Sequence, residues 1–473
     1  MTLYNSILYI LLMLGCIEND QEIKPITNSL KNEVEVWLTT ADQTSLLKKQ
    51  PNNLTFSDQQ NNYPTISIDT SITYQSIDGF GFTLTGGSAL LLSKMSPSER
   101  DKILNELFGC SGDQACISYL RLSVGASDLD DKVFSYNDLL VGLEDMTLSN
   151  FSLSNDTLYL LPIIKQILRI QPTIKFMATP WSPPTWMKSN GSSIGGSLLP
   201  RYYDLYANYL VKYIQQMKTL GVHIDALTIQ NEPQHGGNNP SMLMNEGEQA
   251  LFIKKHLGPK FKANKINTKI VIWDHNCDRP DFPITILNDP EANKYIDGSA
   301  FHLYAGQIDA LSKVKSAYPT KNLYFTEQWT GANGHFDGDL QWHIKNVLIG
   351  SMKHWSKITL EWNLASDPYY EPHTPGGCTE CKGAITIDGN LASKNVAFYI
   401  IAHASRFVLP NSIRIESNTI DNIHQVSFLT PKGKKVIIAL NETDKTEMFN
   451  IQYRGKKALA TLPAHSVATY VWD

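Results

Sequence analysis

Two glutamates stand where a carboxylate is costly without a partner or a reaction. Glu232 follows the apolar run in "LTIQNEPQHGG" (227–237), and Glu327 closes the apolar part of "NLYFTEQWTG" (322–331). A charge at the end of a buried strand must be compensated. Pro233 cannot donate to a sheet ladder, so the strand stops and Asn231 and Glu232 are held at its end. Two carboxylates converging on one ligand are the equipment of glycoside hydrolysis. One protonates the leaving oxygen, and the other attacks the anomeric carbon and has to stay ionised. A structural ion pair accounts for one such glutamate more easily than for two.

The surrounding pattern supplies elements to position them. Short apolar runs alternate with helix-like segments from about Asp78. Eight strand candidates lie at 79–87, 117–127, 174–184, 225–233, 269–276, 298–306, 322–331 and 358–367. The segment 201–221 reads as a helix, with Tyr202, Leu205, Tyr209 and Tyr213 on one face and Gly221 as its stop. Eight such units predict a (β/α)8 TIM barrel, an α/β fold whose strand ends all open onto one face. Strands four and seven then oppose each other across the mouth. The alternating runs "VEVWLTT" (34–40) and "TISIDT" (65–70), and the strand-rich segment after about 410, predict an associated all-β sandwich. The expected organisation is a leader over 1–22, N-terminal sandwich strands over 30–75, the barrel over 76–400 and C-terminal sandwich strands over 401–473.

Composition narrows the function classes. The chain has 473 residues and a net charge of −5 with no Lys/Arg-rich run, so nucleic acid is not an expected partner. There is no HExxH, Walker loop or GxGxxG, and no metal or cofactor is expected. No lysine sits at a strand end to form a Schiff base, which weighs against an aldolase-type barrel. The opening "MTLYNSILYILLMLGC" is apolar but too short to span a bilayer. Leu14-Gly15-Cys16 resembles a bacterial lipoprotein cleavage box, although the segment before it has no Lys or Arg. Export with lipidation at Cys16 and placement on the outer membrane is the expectation, with periplasmic or secreted protein as the alternative. Of six cysteines, Cys110 with Cys116 and Cys378 with Cys381 read as local disulfides, leaving Cys277 unpaired. The alternative for "CTEC" is half a zinc site, but no second CxxC exists.

The motifs "QNEP", "TEQW" and "ATPWSPPTWMKSNG" together resemble glycoside hydrolase family 30, the glucosylceramidase-like retaining glycosidases. "IDGFGFTLTGGSA", "YLRLSVGASD", "EWNLA" and "LPAHSVATYVW" extend the resemblance over nearly the whole chain. It implies Glu232 as acid/base and Glu327 as nucleophile. It implies Asn231 on the sugar 2-hydroxyl, Tyr304 donating to Glu327, His302 on the same strand face, and Arg121 as a fixed charge below the nucleophile. Trp181 and Trp362 would line the −1 sugar pocket. One departure stands out: Gly86 occupies a position where a hydroxyl-gripping Asp is expected, so Asp128 or Glu361 would have to take over. The implied substrate is an oligo- or polysaccharide, with a β-glucan, especially β-1,6-linked, ahead of glucosylceramide and small β-glucosides or β-xylosides. A non-catalytic glycan-binding barrel is the rival from another class, and the two intact glutamates argue against it.

Overall fold

The computed structural model describes residues 33–473. The expected leader and Cys16 lie outside the described residues. Eight strands form a closed barrel: Gly79–Thr83, Tyr119–Val124, Lys175–Pro180, Ala226–Thr228, Lys269–Cys277, Ile296–Gly306, Asn322–Glu327 and Ser356–Asn363. They are numbered one to eight below. Strand eight pairs in parallel with strand one, Ile358 opposite Gly79, and this pairing shuts the barrel. Gly81 is required there, because a Cβ would sit 1.8 Å from the carbonyl oxygen of Tyr119. Tyr119, Met177, Val271, Tyr324, Ile358 and Leu360 fill the interior. The barrel is therefore a packed plug with polar side chains at both ends: Asp78 with Lys175, Lys269 and Lys357 at the N-terminal end, and the residues described below at the C-terminal mouth.

Helices cover the outside. Tyr203–Thr219 buries Tyr209 and Tyr213 against the main core, and Gly221, at φ 86°, ends its turn as expected. The last barrel helix is Val396–Ser405.

The sandwich is assembled from both ends of the chain. Glu33–Thr40 pairs antiparallel with Ser466–Trp472, Val36 opposite Tyr470. Thr65–Ser76 lies between Ile413–Ser417 and Glu447–Tyr453. Alternation drives this: Val34, Val36 and Leu38 join Ile437, Ala468 and Tyr470 in one core. One further strand, Lys456–Leu462, did not stand out in the sequence. Its two lysines and small residues dilute the pattern, and it forms through a tight turn at Arg454-Gly455, both at positive φ.

His403 ties the two units together. Its Nδ1 meets Thr469 Oγ1 at 2.9 Å and its Nε2 meets Thr39 Oγ1 at 2.8 Å. Burial pushes this imidazole down to about 3, so it stays neutral and serves as a structural bridge. Both expected disulfides form, and Cys277 is buried and free. The sulfurs of Cys378 and Cys381 are bonded to each other, which leaves no thiolates for zinc. Among the described residues, no helix is long and apolar enough to cross a membrane.

Candidate active site

The mouth holds a cavity of about 290 Å³ whose lining includes Asp128, Trp181, Glu232, Tyr304, Glu327 and Trp362. This is the low end of the ~300–1,000 Å³ range of small-molecule sites.

Strand four ends early, at Thr228, and the chain then climbs to the rim. Asn231 N–H donates to Pro180 O at 2.8 Å and Glu232 N–H to Asp274 O at 3.0 Å. Glu232 sits at φ 44°, a left-handed conformation that a non-glycine residue keeps only when its surroundings enforce it. Glu327 ends strand seven opposite. Oxygens of both glutamates and a His302 ring nitrogen all lie within 4.8 Å of one another. Three such donors could also surround a cation, but Arg121 already supplies positive charge: its Nη1 is 2.6 Å from Glu327 Oε2.

Arg121 is fully buried beneath the pocket and organises it. Its Nη2 donates to Asn231 Oδ1 at 2.7 Å and to Asp274 Oδ2 at 2.9 Å, and its Nε to Thr179 Oγ1 at 3.1 Å. Because the Asn231 oxygen is taken, its –NH2 is the end left for a ligand. The guanidinium lies 4.7 Å from the Trp181 ring centroid and 5.8 Å from that of Trp362. Those two indoles are 5.5 Å apart and tilted by 32°, two adjoining aromatic walls of the cavity.

Asp274, at the end of strand five, was missed by sequence reasoning and proves to be the hub. It accepts from Arg121, from Thr228 Oγ1 at 2.8 Å and Thr326 Oγ1 at 2.6 Å, and meets His302 Nε2 at 3.2 Å. Burial opposes its charge, but Arg121 and His302 hold its carboxyl far below the usual range. The available signal was the Asp itself: "KIVIWDHN" places a carboxylate in an apolar strand, which demands a partner. Asp274→Asn should keep the fold but lower kcat/KM by about 10²-fold, since Arg121 and His302 both lose their anchor. Kinetics together with thermal unfolding check this. An unchanged kcat/KM would refute the hub.

Two carboxylates flank His302. Asp274 is ionised, so Nε2 carries its hydrogen. Nδ1 faces Glu232 Oε1 at 3.2 Å, and these two atoms hold one proton between them. Burial works against charge on His302, but Glu327 and the hydrogen bonds to Asp274 and Glu232 push its pKa up to about 9. Burial also pushes Glu232 up, yet the His302 hydrogen bond and charge outweigh it and hold that carboxyl low. Burial pushes Glu327 up, against His302 and Arg121. A raised Glu232 and a readily ionised Glu327 were expected from the roles, and the resting site reverses that order, because the spare proton rests on His302. Tyr304 Oη donates to Glu327 Oε1 at 3.0 Å; although the residue's outer face is exposed, loss of water around its hydroxyl and the charges of Glu327 and Glu232 push the phenol's pKa well up.

The structure separates the two substitutes for Gly86. Asp128 lines the cavity, with its carboxyl pushed up to about 7 by burial and by both glutamates. Glu361 does not reach the cavity and is bonded to His343 Nδ1 at 2.7 Å. Successive residues of a strand face opposite sides, so Trp362 on the pocket sends Glu361 outward. Gly86 itself packs on Asp130, whose Oδ1 would lie 1.7 Å from a Cβ. Trp329, Cys378 and Cys381 also line the cavity, and none was expected there.

Comparison with known proteins places this geometry among relatives. The family model for the glycosyl hydrolase family 30 TIM-barrel domain matches residues 77–408, and that for the family's β-sandwich domain matches 411–470. The chain is 32% identical over 425 residues to endo-1,6-β-D-glucanase neg1 of Aspergillus fumigatus, covering 84% of this chain and 85% of that one. It is 28% identical over 435 residues to the lysosomal acid glucosylceramidase of Mus musculus, covering 84% and 81%. The solved structure of the endo-β1,6-glucanase BT3312 superimposes with a TM-score of 0.87 at 34% identity, over 93% of this chain and 99% of that chain.

Proposed function

The chain belongs to glycosyl hydrolase family 30 and is a glycoside hydrolase; on that premise we propose that it cleaves β-1,6-linked glucan within the chain, by double displacement with retention. The observation that carries the mechanism is that one oxygen of each carboxyl group lies within 4.8 Å of the other, with a guanidinium on one group only. So close an approach supports the narrow ~5–5.5 Å arrangement of retaining enzymes over the ~6.5–9.5 Å that inverting enzymes need for a water. Three endo-1,6-β-D-glucanases among the relatives, with the superimposed structure, support the linkage.

Glu327, held by Arg121 and Tyr304, attacks the anomeric carbon. Glu232 protonates the departing oxygen with the proton shared with His302. Transfer from Nδ1 to Oε1 turns Glu232 into the acid without changing the net charge of the cluster, so no buried charge is created. Water deprotonated by Glu232 then releases the sugar from Glu327. Asn231 meets the 2-hydroxyl, Asp128 grips distal hydroxyls and Trp181 with Trp362 enclose the ring. Product analysis on β-1,3-, β-1,4- and β-1,6-glucans, aryl β-glucosides and β-xylosides, and glucosylceramide tests the substrate. β-1,6-oligosaccharides of several lengths are expected first. Preferred release from glucosylceramide would overturn the glucan assignment.

We further propose an outer-membrane lipoprotein anchored through Cys16, supported by Leu14-Gly15-Cys16 after an apolar run. Cys16→Ser should then move the protein from the membrane fraction to the soluble one, since several acyl chains hold firmly where one binds marginally. Unchanged partitioning on immunoblots would count against the anchor.

A further inference from the structure

The loop that carries the Cys378–Cys381 bridge is fastened to the sugar pocket at several points. Both cysteines line the cavity, beside Trp181, Trp329 and Trp362. Cys378 N–H donates to Asp128 Oδ2 at 3.3 Å, and Thr374 N–H donates to Asp128 O at 2.9 Å. On the far side, Cys381 pairs with Gly331 in a two-residue antiparallel ladder next to Trp329. Ala332 N–H donates to Glu380 O at 2.8 Å, which continues that ladder. The bridge spans a sequence separation of three residues. So small a ring removes little entropy from the unfolded chain, so its main effect is on local shape.

From these contacts we infer that the Cys378–Cys381 bridge is a positioning element for substrate binding: it fixes the Cys378 amide against Asp128 and so aims that carboxylate at the sugar hydroxyls. This rests on the reading of the cavity as a −1 sugar site. The bridge closes the loop just where it turns from Asp128 to Trp329, so one short covalent link sets two walls of the pocket. An N–H bond to a carboxylate also favours its ionised form. Asp128, buried beside two glutamates, has few other donors to hold it so.

The test is a double-mutant cycle read by competitive inhibition with a glucose-shaped iminosugar. Cys378→Ala/Cys381→Ala should weaken inhibitor binding and kcat/KM by about tenfold in the native background, the worth of one hydrogen bond to a charged group. It should also move the acid limb of inhibitor binding to higher pH. An Asp128 that has lost its donor takes up a proton sooner, and the gripping carboxylate is lost as pH falls through that point. In an Asp128→Asn background the same change should cost nothing further. Cys110→Ala/Cys116→Ala, far from the cavity, should change neither quantity. Gly377→Ala provides a second route with the bridge intact, because its Cβ would lie 2.3 Å from Asp128 O and push the loop away. It should reproduce the loss and the shift. Equal losses in both backgrounds, or no loss in either variant, would overturn the inference alone. A wild-type enzyme blind to the iminosugar would overturn the sugar-site reading along with it.

Discussion

Glu327→Gln should lose at least about four orders of magnitude in kcat on every substrate, whatever its leaving group. The amide cannot attack the anomeric carbon, so no glycosyl-enzyme forms. It also leaves Arg121 with Asp274 as its only carboxylate partner. Asn231 and Asp274 still fix the guanidinium, so the fold should survive, and thermal unfolding checks that. Steady-state assays on a nitrophenyl β-glucoside and on β-1,6-glucan measure the loss. Activity within tenfold of wild type on either would remove Glu327 from the nucleophile's role.

Glu232→Gln should divide substrates by leaving group. On glucan, whose leaving group is a sugar alkoxide, kcat/KM should fall by about 10²–10⁴-fold, the usual worth of a general acid. A nitrophenyl glycoside departs without a proton, so its glycosylation step should survive and a covalent intermediate should accumulate. Azide needs no general base and should speed turnover, giving β-glycosyl azide. The pH profile carries the same signature. In the proposed mechanism, wild-type activity needs the single proton held between Glu232 and His302. It is present at low pH and lost as pH rises through the pair's titration, which His302, pushed up to about 9, places on the alkaline side. In Glu232→Gln that basic limb should flatten. Azide rescue of Glu327→Gln with β-glycosyl azide as product, and none for Glu232→Gln, would exchange the two roles.

The barrel was legible because each strand is a short apolar run closed by polar or aromatic residues, and a barrel puts all those ends on one face. Asn231, Glu232 and Glu327 were visible as strand ends, the family resemblance added Arg121, His302, Tyr304 and Trp362, and all seven meet at the mouth. What stayed hidden depends on convergence. Asp274 acquires its meaning only when strands two, four, six and seven bring Arg121, Thr228, His302 and Thr326 to it. Glu361 looked as available as Asp128, and only the alternation set by its neighbour Trp362 turns it away. The direction of the glutamate titrations was equally out of reach, because it hangs on a histidine placed between two carboxylates. The disulfide loop could be recognised as a loop, but its position against Asp128 is a tertiary fact.

The stereochemistry of the first product distinguishes retention from inversion. Carboxylate oxygens of Glu232 and Glu327 within 4.8 Å of each other leave little room for an attacking water opposite the leaving group, so the proposed mechanism requires two inversions. Proton NMR of β-1,6-glucan digested with fresh enzyme, recorded before mutarotation, should show the β-anomer of the new reducing end first, with the α-anomer growing in later. The α-anomer as the initial product would contradict the account and remove Glu327 as the nucleophile.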